Sequence, residues 1–293
     1  MTIMRRLFWI VLALLPCVAA ADNSRDHLEA STVVTGWVEV APDGSVYNYT
    51  LDQPEKLDAG VVSLIAKTIA TWKFKPVLVD DKPVLAKAKM NLRVVASPCD
   101  KDEYEIRVRG ATFSNGGAKD EEKDNGTNAE PSYKARKPPL YPIMAIRAQT
   151  SGTAYLALEV DHTGHVEQAI ATQVNLRAIG SEREMRLLRQ ALADASVAAA
   201  KTWTFNVPQS GGFANKHEWT IIIPIDFSLS GADKSQEAKK YGQWDVYIPG
   251  PIQPIPWEQD QIAGGNNADA VADDGSVFVP DNRFVLLTPP SPG

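Results

Sequence analysis

Two stretches of this chain carry the same succession of signals, and a repeated supersecondary unit restricts the available folds more than any local motif does. In the first, Val34, Gly36, Val38 and Val40 alternate with Thr35, Trp37 and Glu39, the period of a half-buried strand. Ala41-Pro42-Asp43-Gly44 follows, with proline at the second turn position and glycine where a positive φ is needed. Val46–Leu51 reads as the returning strand of a hairpin. Val61, Ile65, Ile69 and Trp72 recur at helical spacing on one face, with Asp58 as N-cap. The run Trp72-Lys73-Phe74-Lys75-Pro76 closes that helix, because proline disfavours helical backbone at the residue before it. In the last strand, Ala88, Met90, Leu92 and Val94 are expected toward the core, and Lys87, Lys89, Asn91 and Arg93 away from it.

The second stretch repeats this order. Ala154, Leu156, Leu158 and Val160 form a strand face, His162-Thr163-Gly164 turns the chain, and residues 166–172 return. A longer helix carries Met185, Leu188, Leu192, Ala195, Ala199 and Trp203 on one side. Trp203-Thr204-Phe205-Asn206-Val207-Pro208 mirrors the first helix end. The final strand points Trp219, Ile221, Ile223, Ile225 and Phe227 inward, and Pro224 places it at a sheet edge. A helix over one face of a small antiparallel sheet buries both apolar faces. The expected architecture is therefore α+β, with two small domains at 31–113 and 134–232, each a three-stranded antiparallel sheet with a packed helix.

Residues 114–133, with Gly116-Gly117 and the run from Lys119 to Asp124, read as a charged flexible linker. Residues 104–108 alternate and suit an extra edge strand on the first unit. Residues 233–293 form a proline-rich tail, expected to be partly disordered and partly draped on a domain, in which 248–256 suit polyproline II. Val277-Phe278-Val279 and Phe284-Val285-Leu286-Leu287 flank Pro280-Asp281-Asn282-Arg283 and suit a small hairpin.

Residues 1–21 read as a secretory signal peptide: Arg5 and Arg6, an apolar run over 7–15, then Ala19-Ala20-Ala21 before a cut at Asp22. The apolar stretch is shorter than the roughly 17–25 residues of a spanning helix, which makes an uncleaved inner-membrane anchor the weaker alternative. Cleavage removes Cys17 and leaves Cys99 alone, expected to be a buried or idle thiol with no helix N-terminus or basic cluster to activate it. A formal charge of -6 argues against general nucleic-acid binding, which needs a basic footprint. No G-x-S-x-G elbow, H-E-x-x-H, P-loop or strand-coupled G-x-G-x-x-G occurs. His162 and His165, beside Asp161 and Glu167, flank a turn and read as solvated rather than metal-binding. Trp72 and Trp203 read as core packing. Neither catalysis nor a cofactor or metal is expected.

Tyr141-Pro142-Ile143-Met144-Ala145, then Gly152, a strand pair around Gly164, a helix, and Trp203-x-Phe205 before proline resemble the C-terminal domain of TonB proteins. Pro42, Asp43, Gly44, Trp72, Phe74 and Pro76 are similar to the same pattern, without the Tyr-Pro segment before it. The resemblance implies binding rather than catalysis. It implies a periplasmic domain of the Gram-negative envelope whose sheet edge pairs with a short segment of an outer-membrane receptor. Such β-augmentation uses the unpaired N–H and C=O groups of an edge strand.

By the resemblance the pairing edge is the last strand of a unit, at Lys87, Lys89, Asn91 and Arg93 or at Glu218, Thr220 and Ile222. Outward lysines have a second reading, as guards against aggregation. The same edges would serve to pair two copies in a homodimer. With a cleavable leader and a short stretch before the first unit, a soluble adaptor fits better than an energy transducer. The alternative is an envelope structural or peptidoglycan-binding protein that contacts its partners through the proline-rich tail.

Overall fold

The computed structural model describes residues 28–100, 103–114, 131–208, 217–229, 241–258, 270–271, 277–281 and 283–291. The expected signal peptide and residues 115–130 of the expected linker lie outside the described residues. β1 (Glu29–Val40) turns through Gly44 into β2 (Val46–Leu51), and α1 (Ala59–Ile69) follows. The short β3 (Leu78–Val79) and β4 (Lys82–Pro83) precede the long hairpin of β5 (Ala86–Asp100) and β6 (Glu103–Ser114). Next come β7 (Ser132–Ala135), α2 (Ile143–Arg147), β8 (Gly152–Asp161) and β9 (Val166–Leu176). α3 (Glu182–Ala200), β10 (Thr204–Asn206), β11 (Glu218–Phe227) and β12 (Asp245–Tyr247) complete the set.

The class is α+β, with antiparallel pairing throughout these strands. One sheet runs β11-β8-β9, the expected three strands. A larger one has five, in the order β12-β1-β5-β6 with β2 also on β1, and β10-β7 and β3-β4 form two-stranded pairs. The larger sheet exceeds three strands because β6, at the extra strand expected over 104–108, runs on to Ser114 along β5, and the tail supplies β12. Ser132 and Tyr133, placed in the linker by composition, belong to β7. Among the described residues no helix is long and apolar enough to cross a membrane.

Each sheet has its own helix and core. Asp58 caps α1 by accepting from the Gly60 N–H at 2.7 Å, and Val61, Ile65 and Ile69 are buried. Ser181 and Glu184 form a capping box at the start of α3, satisfying backbone donors that the helix itself leaves open. Ser196 and Ala200 are the buried residues of its last turns, one position on from Ala195 and Ala199, which pack at the margin of that core. The Ser196 hydroxyl is satisfied within the helix by the Leu192 carbonyl at 2.7 Å.

The two hairpin turns dock on the two helix ends by the same backbone contact. Gly44 has φ +79° and Gly164 φ +87°, a region open to glycine and strained for other residues. The Gly44 carbonyl accepts from the Phe74 N–H, and the Gly164 carbonyl from the Phe205 N–H, each at 2.8 Å. A Cβ on either glycine would sit 2.1 Å from the phenylalanine carbonyl oxygen. Asp43 and Asp161 brace the turns by accepting from Ser45 and from Thr163 and His165.

The far side of each helix end is covered differently. Trp203-Thr204-Phe205 is flanked by β7, with Phe205 opposite Tyr133, and the Trp203 indole donates to the Lys137 carbonyl at 2.8 Å. Trp72-Lys73-Phe74 is flanked instead by the tail. Phe74 pairs with Leu286, the Lys75 N–H donates to Val285, the Leu287 N–H donates to Lys73, and the Trp72 indole donates to the Pro290 carbonyl. The tail thus supplies to the first sheet what the segment before β8 supplies to the second. The expected hairpin within the tail does not form, because Phe278 pairs with Ile222 and Leu286 with Phe74. A lone two-stranded hairpin is marginal in water, whereas these edges bring buried neighbours.

Two stability outcomes follow from these contacts. Gly164→Ala should lower the free energy of unfolding by at least about 2 kcal/mol, since the strain at positive φ adds to a backbone clash. Leu286→Ala, at a site only 2% exposed, should cost about 2–4 kcal/mol although it lies in the tail. Urea denaturation followed by tryptophan fluorescence measures both.

Candidate functional site

β8 is the central strand of its sheet, and all of its residues except Asp161 are buried. β11 lies along one side of it in register from Glu218 opposite Asp161 to Phe227 opposite Gly152. Trp219, Ile221, Ile223, Ile225 and Phe227 point into the core under α3. Backbone groups of the intervening residues face away from β8. The Ile222 N–H donates to the Phe278 carbonyl at 2.8 Å, and the Phe278 N–H donates back at 3.1 Å. Pro224 shares that outward parity, so its missing N–H costs the β8 ladder nothing, which is why proline is tolerated there. β11 is an edge strand whose centre is taken by one bridge from the tail.

Side chains of the same outward residues lie on the reverse face of the sheet. Ile222, 3% exposed, packs in a cluster with Ala157, Ile255, Val271 and Phe278, and Ile170 and Trp257 border it. The Thr220 hydroxyl accepts from the Trp257 indole at 3.1 Å. Glu218 is exposed. Of the residues expected on this edge, Thr220 and Ile222 meet at one tail-covered site, and Glu218 marks its open end. The tail residues that complete it were not foreseen as part of it. Their signal was the apolar alternation at 277–279, which local reasoning assigned to a hairpin.

β5, the other expected edge, is an interior strand. β1 pairs with it from Ala86 to Ala96 and β6 from Lys89 to Asp100. Lys87 is exposed, with its Nζ 4.6 Å from the centre of the Trp37 ring. Lys89 is half-buried. Asn91 and Arg93 are buried, and Arg93 meets a residue of the second sheet rather than solvent. Arg93 donates to Ser31 Oγ at 3.1 Å and to the Tyr155 hydroxyl of β8 at 2.9 Å. Asn91 Nδ2 reaches Thr112 Oγ1 at 3.4 Å. Around them, Arg177 holds both Asp226 and Asp245, and Arg109 holds Glu29 and the Tyr247 hydroxyl. These four β5 positions therefore do not form a free pairing edge.

A stretch of 107 residues is 30% identical to Protein TonB of Xanthomonas campestris pv. campestris strain B100, and equally to that of strain ATCC 33913. The likeness is to TonB. It covers 36% of this chain and 42% of each relative, so the chain spans under half the length of the TonB proteins it matches. No family model matches the chain, and no solved structure does.

The second-unit residues that carry the TonB resemblance hold the frame on which β11 is mounted, and Trp72 and Phe74 of the first unit sit in the core of the other sheet. Pro142, in extended backbone, opens α2 and leaves Ala145 fully buried. The Tyr141 hydroxyl donates to the Thr150 carbonyl at 2.7 Å, and its ring meets Phe227 edge-on at 5.3 Å. Gly152 admits the Asn175 carbonyl, which a Cβ would meet at 2.5 Å. Pro76 follows the helix-end aromatics, where Trp72, Phe74 and Phe113 stack edge-to-face. His165 Nδ1 lies 2.8 Å from Thr163 Oγ1, a turn contact. Among the described residues no three His, Cys, Asp or Glu side chains are grouped to hold a metal ion.

Glu159 sits beside the open end of the edge, 8% exposed. Burial pushes its carboxyl above the usual range, the hydrogen bond from Gln168 partly offsets this, and Glu218 and Glu167 push it further up. Glu159 is therefore harder to ionise in the folded than in the unfolded chain, and stability falls as pH rises above 4.5 through the raised value. Glu159→Gln should raise the melting temperature, with the gain growing between pH 4 and pH 7. Thermal melts of both proteins across that range check it.

Proposed function

We propose that this chain is a non-catalytic protein-binding module of the Gram-negative envelope that captures an extended partner segment along the outer edge of β11. In this reading residues 1–21 direct export to the periplasm. Residues 31–113 and 134–232 are two TonB-like domains joined by 114–133, and 233–293 form a tail. The partner is a segment of an envelope or outer-membrane protein, in keeping with receptor-linked transport.

One observation carries the reading. The β11 edge, at the position expected from the TonB resemblance, already takes an extended strand through the N–H and C=O of Ile222. An edge that pairs one strand through main-chain bonds, with a side-chain pocket beside it, has what β-augmentation requires. The reading in which the tail itself contacts an outside structure is the less favoured, because Phe278, Phe284 and Leu286 are buried on this chain's own sheets.

The test is a photo-crosslinking residue at exposed Glu218, in cells. A crosslink to a periplasm-facing segment of an outer-membrane protein is expected, and Ile222→Pro should abolish it. That substitution deletes the outward donor and spares the β8 ladder, while Ile222→Ala controls for lost packing. A crosslink that survives Ile222→Pro undiminished would overturn the proposal.

A further inference from the structure

The strand on β11 is part of the chain itself. Residues 277–279 alternate across the sheet plane: Phe278 enters the reverse-face cluster with Ile222 and Ala157, while Val277 and Val279 join the core on the other side. Phe278 is 6% and Val279 4% exposed. The fit is that of a paired strand on both faces, and small Ala157 makes room for the aromatic ring.

The hydrogen-bond ladder is short by contrast. With Ile222 opposite Phe278 in antiparallel register, the next outward position toward the start of β11 sets Thr220 opposite Pro280, which has no N–H for the Thr220 carbonyl. In the other direction stands Pro224, which has none to offer either. Among the described residues the pairing is this one reciprocal pair of bonds, and proline at 280 and 224 rules out a reciprocal pair on either side.

We propose that residues 277–279 are an exchangeable stand-in that keeps the β11 edge closed until a partner displaces them. The partner is an extended segment with the same apolar–aromatic–apolar pattern and a residue other than proline two places after the aromatic. Such a segment fills the same pocket and gains the bond to Thr220 that Pro280 forgoes. The inference rests on the strand-capture reading above and adds to it a partner class and a means of control. A closed edge also explains how an apolar edge strand avoids aggregation before its partner arrives.

The full chain, Phe278→Ala and the milder Phe278→Leu would be titrated with two labelled peptides, Ser-Val-Phe-Val-Pro-Asp and Ser-Val-Phe-Val-Thr-Asp. Hydrogen exchange at the Ile222 amide would be read in parallel. Because apparent affinity scales with the open fraction, Phe278→Ala should bind the peptides about tenfold or more tightly than the unmodified chain, with Phe278→Leu between them. The threonine peptide should bind more tightly than the proline one, and bound peptide should restore protection at Ile222. Equal affinity for all three proteins would overturn the closed-edge proposal while leaving strand capture standing. An exposed Ile222 amide in Phe278→Ala with no binding of either peptide would overturn strand capture itself. Dimers of the unmodified chain that vanish in Phe278→Ala would show the tail reaching a second copy, and would overturn closure within one chain.

Discussion

A backbone crossing between a hairpin turn and a helix end supports everything else in this protein. At Gly44 and Phe74, and again at Gly164 and Phe205, two main chains approach too closely for any Cβ between them. The crossing fixes the hairpin against the end of the helix, so that helix and sheet can close over one core. Tryptophan and phenylalanine on either side of the intervening residue then seal that core. The aromatic pair faces inward because the helix has ended and the chain is extended there, which sends alternate side chains the same way.

Once formed, the crossing leaves a short extended segment with an open outer side, and the sheets leave open edges as well. Unpaired backbone groups in such places are costly when buried and adhesive when exposed. The chain covers them from its own sequence. β7 covers the second helix end, the tail at 284–290 covers the first, β12 extends β1, and Phe278 meets β11. Among the described residues the tail therefore pairs in four places: with β1 through β12, with β9 through Ile248, with the first helix end through Leu286 and with β11 through Phe278. What sets the β11 contact apart is proline at 280 and 224, one on each side of its paired residues.

Local pattern made most of the elements legible. The alternation of Val34 to Val40, the i, i+4 spacing of Val61, Ile65 and Ile69, the Asp58 cap and Pro224 at an edge each follow from short-range physics. The reading failed where a residue's surroundings come from far along the chain. Asn91 and Arg93 occupy the outward phase of an amphipathic strand, and nothing in their neighbourhood shows that distant residues cover that phase. Arg93 is buried because Ser31 and Tyr155 reach its guanidinium, and Tyr155 comes from the other sheet. The edge at β11 was legible through its proline and its inward apolar run. Its occupant was not, since Phe278 is separated from Ile222 by much of the tail.

The sequence by itself determined the periodic faces, the caps, the positive-φ turns and the aromatic helix ends, because each depends on residues within a turn or two of one another. Tertiary structure alone decided which strands would be edges, which polar faces would be buried and what the proline-rich tail would cover. Those outcomes depend on pairings between distant segments, which compete for the same unsatisfied backbone groups. The competition is settled by the shape of the assembled sheets and leaves no periodic trace in the chain.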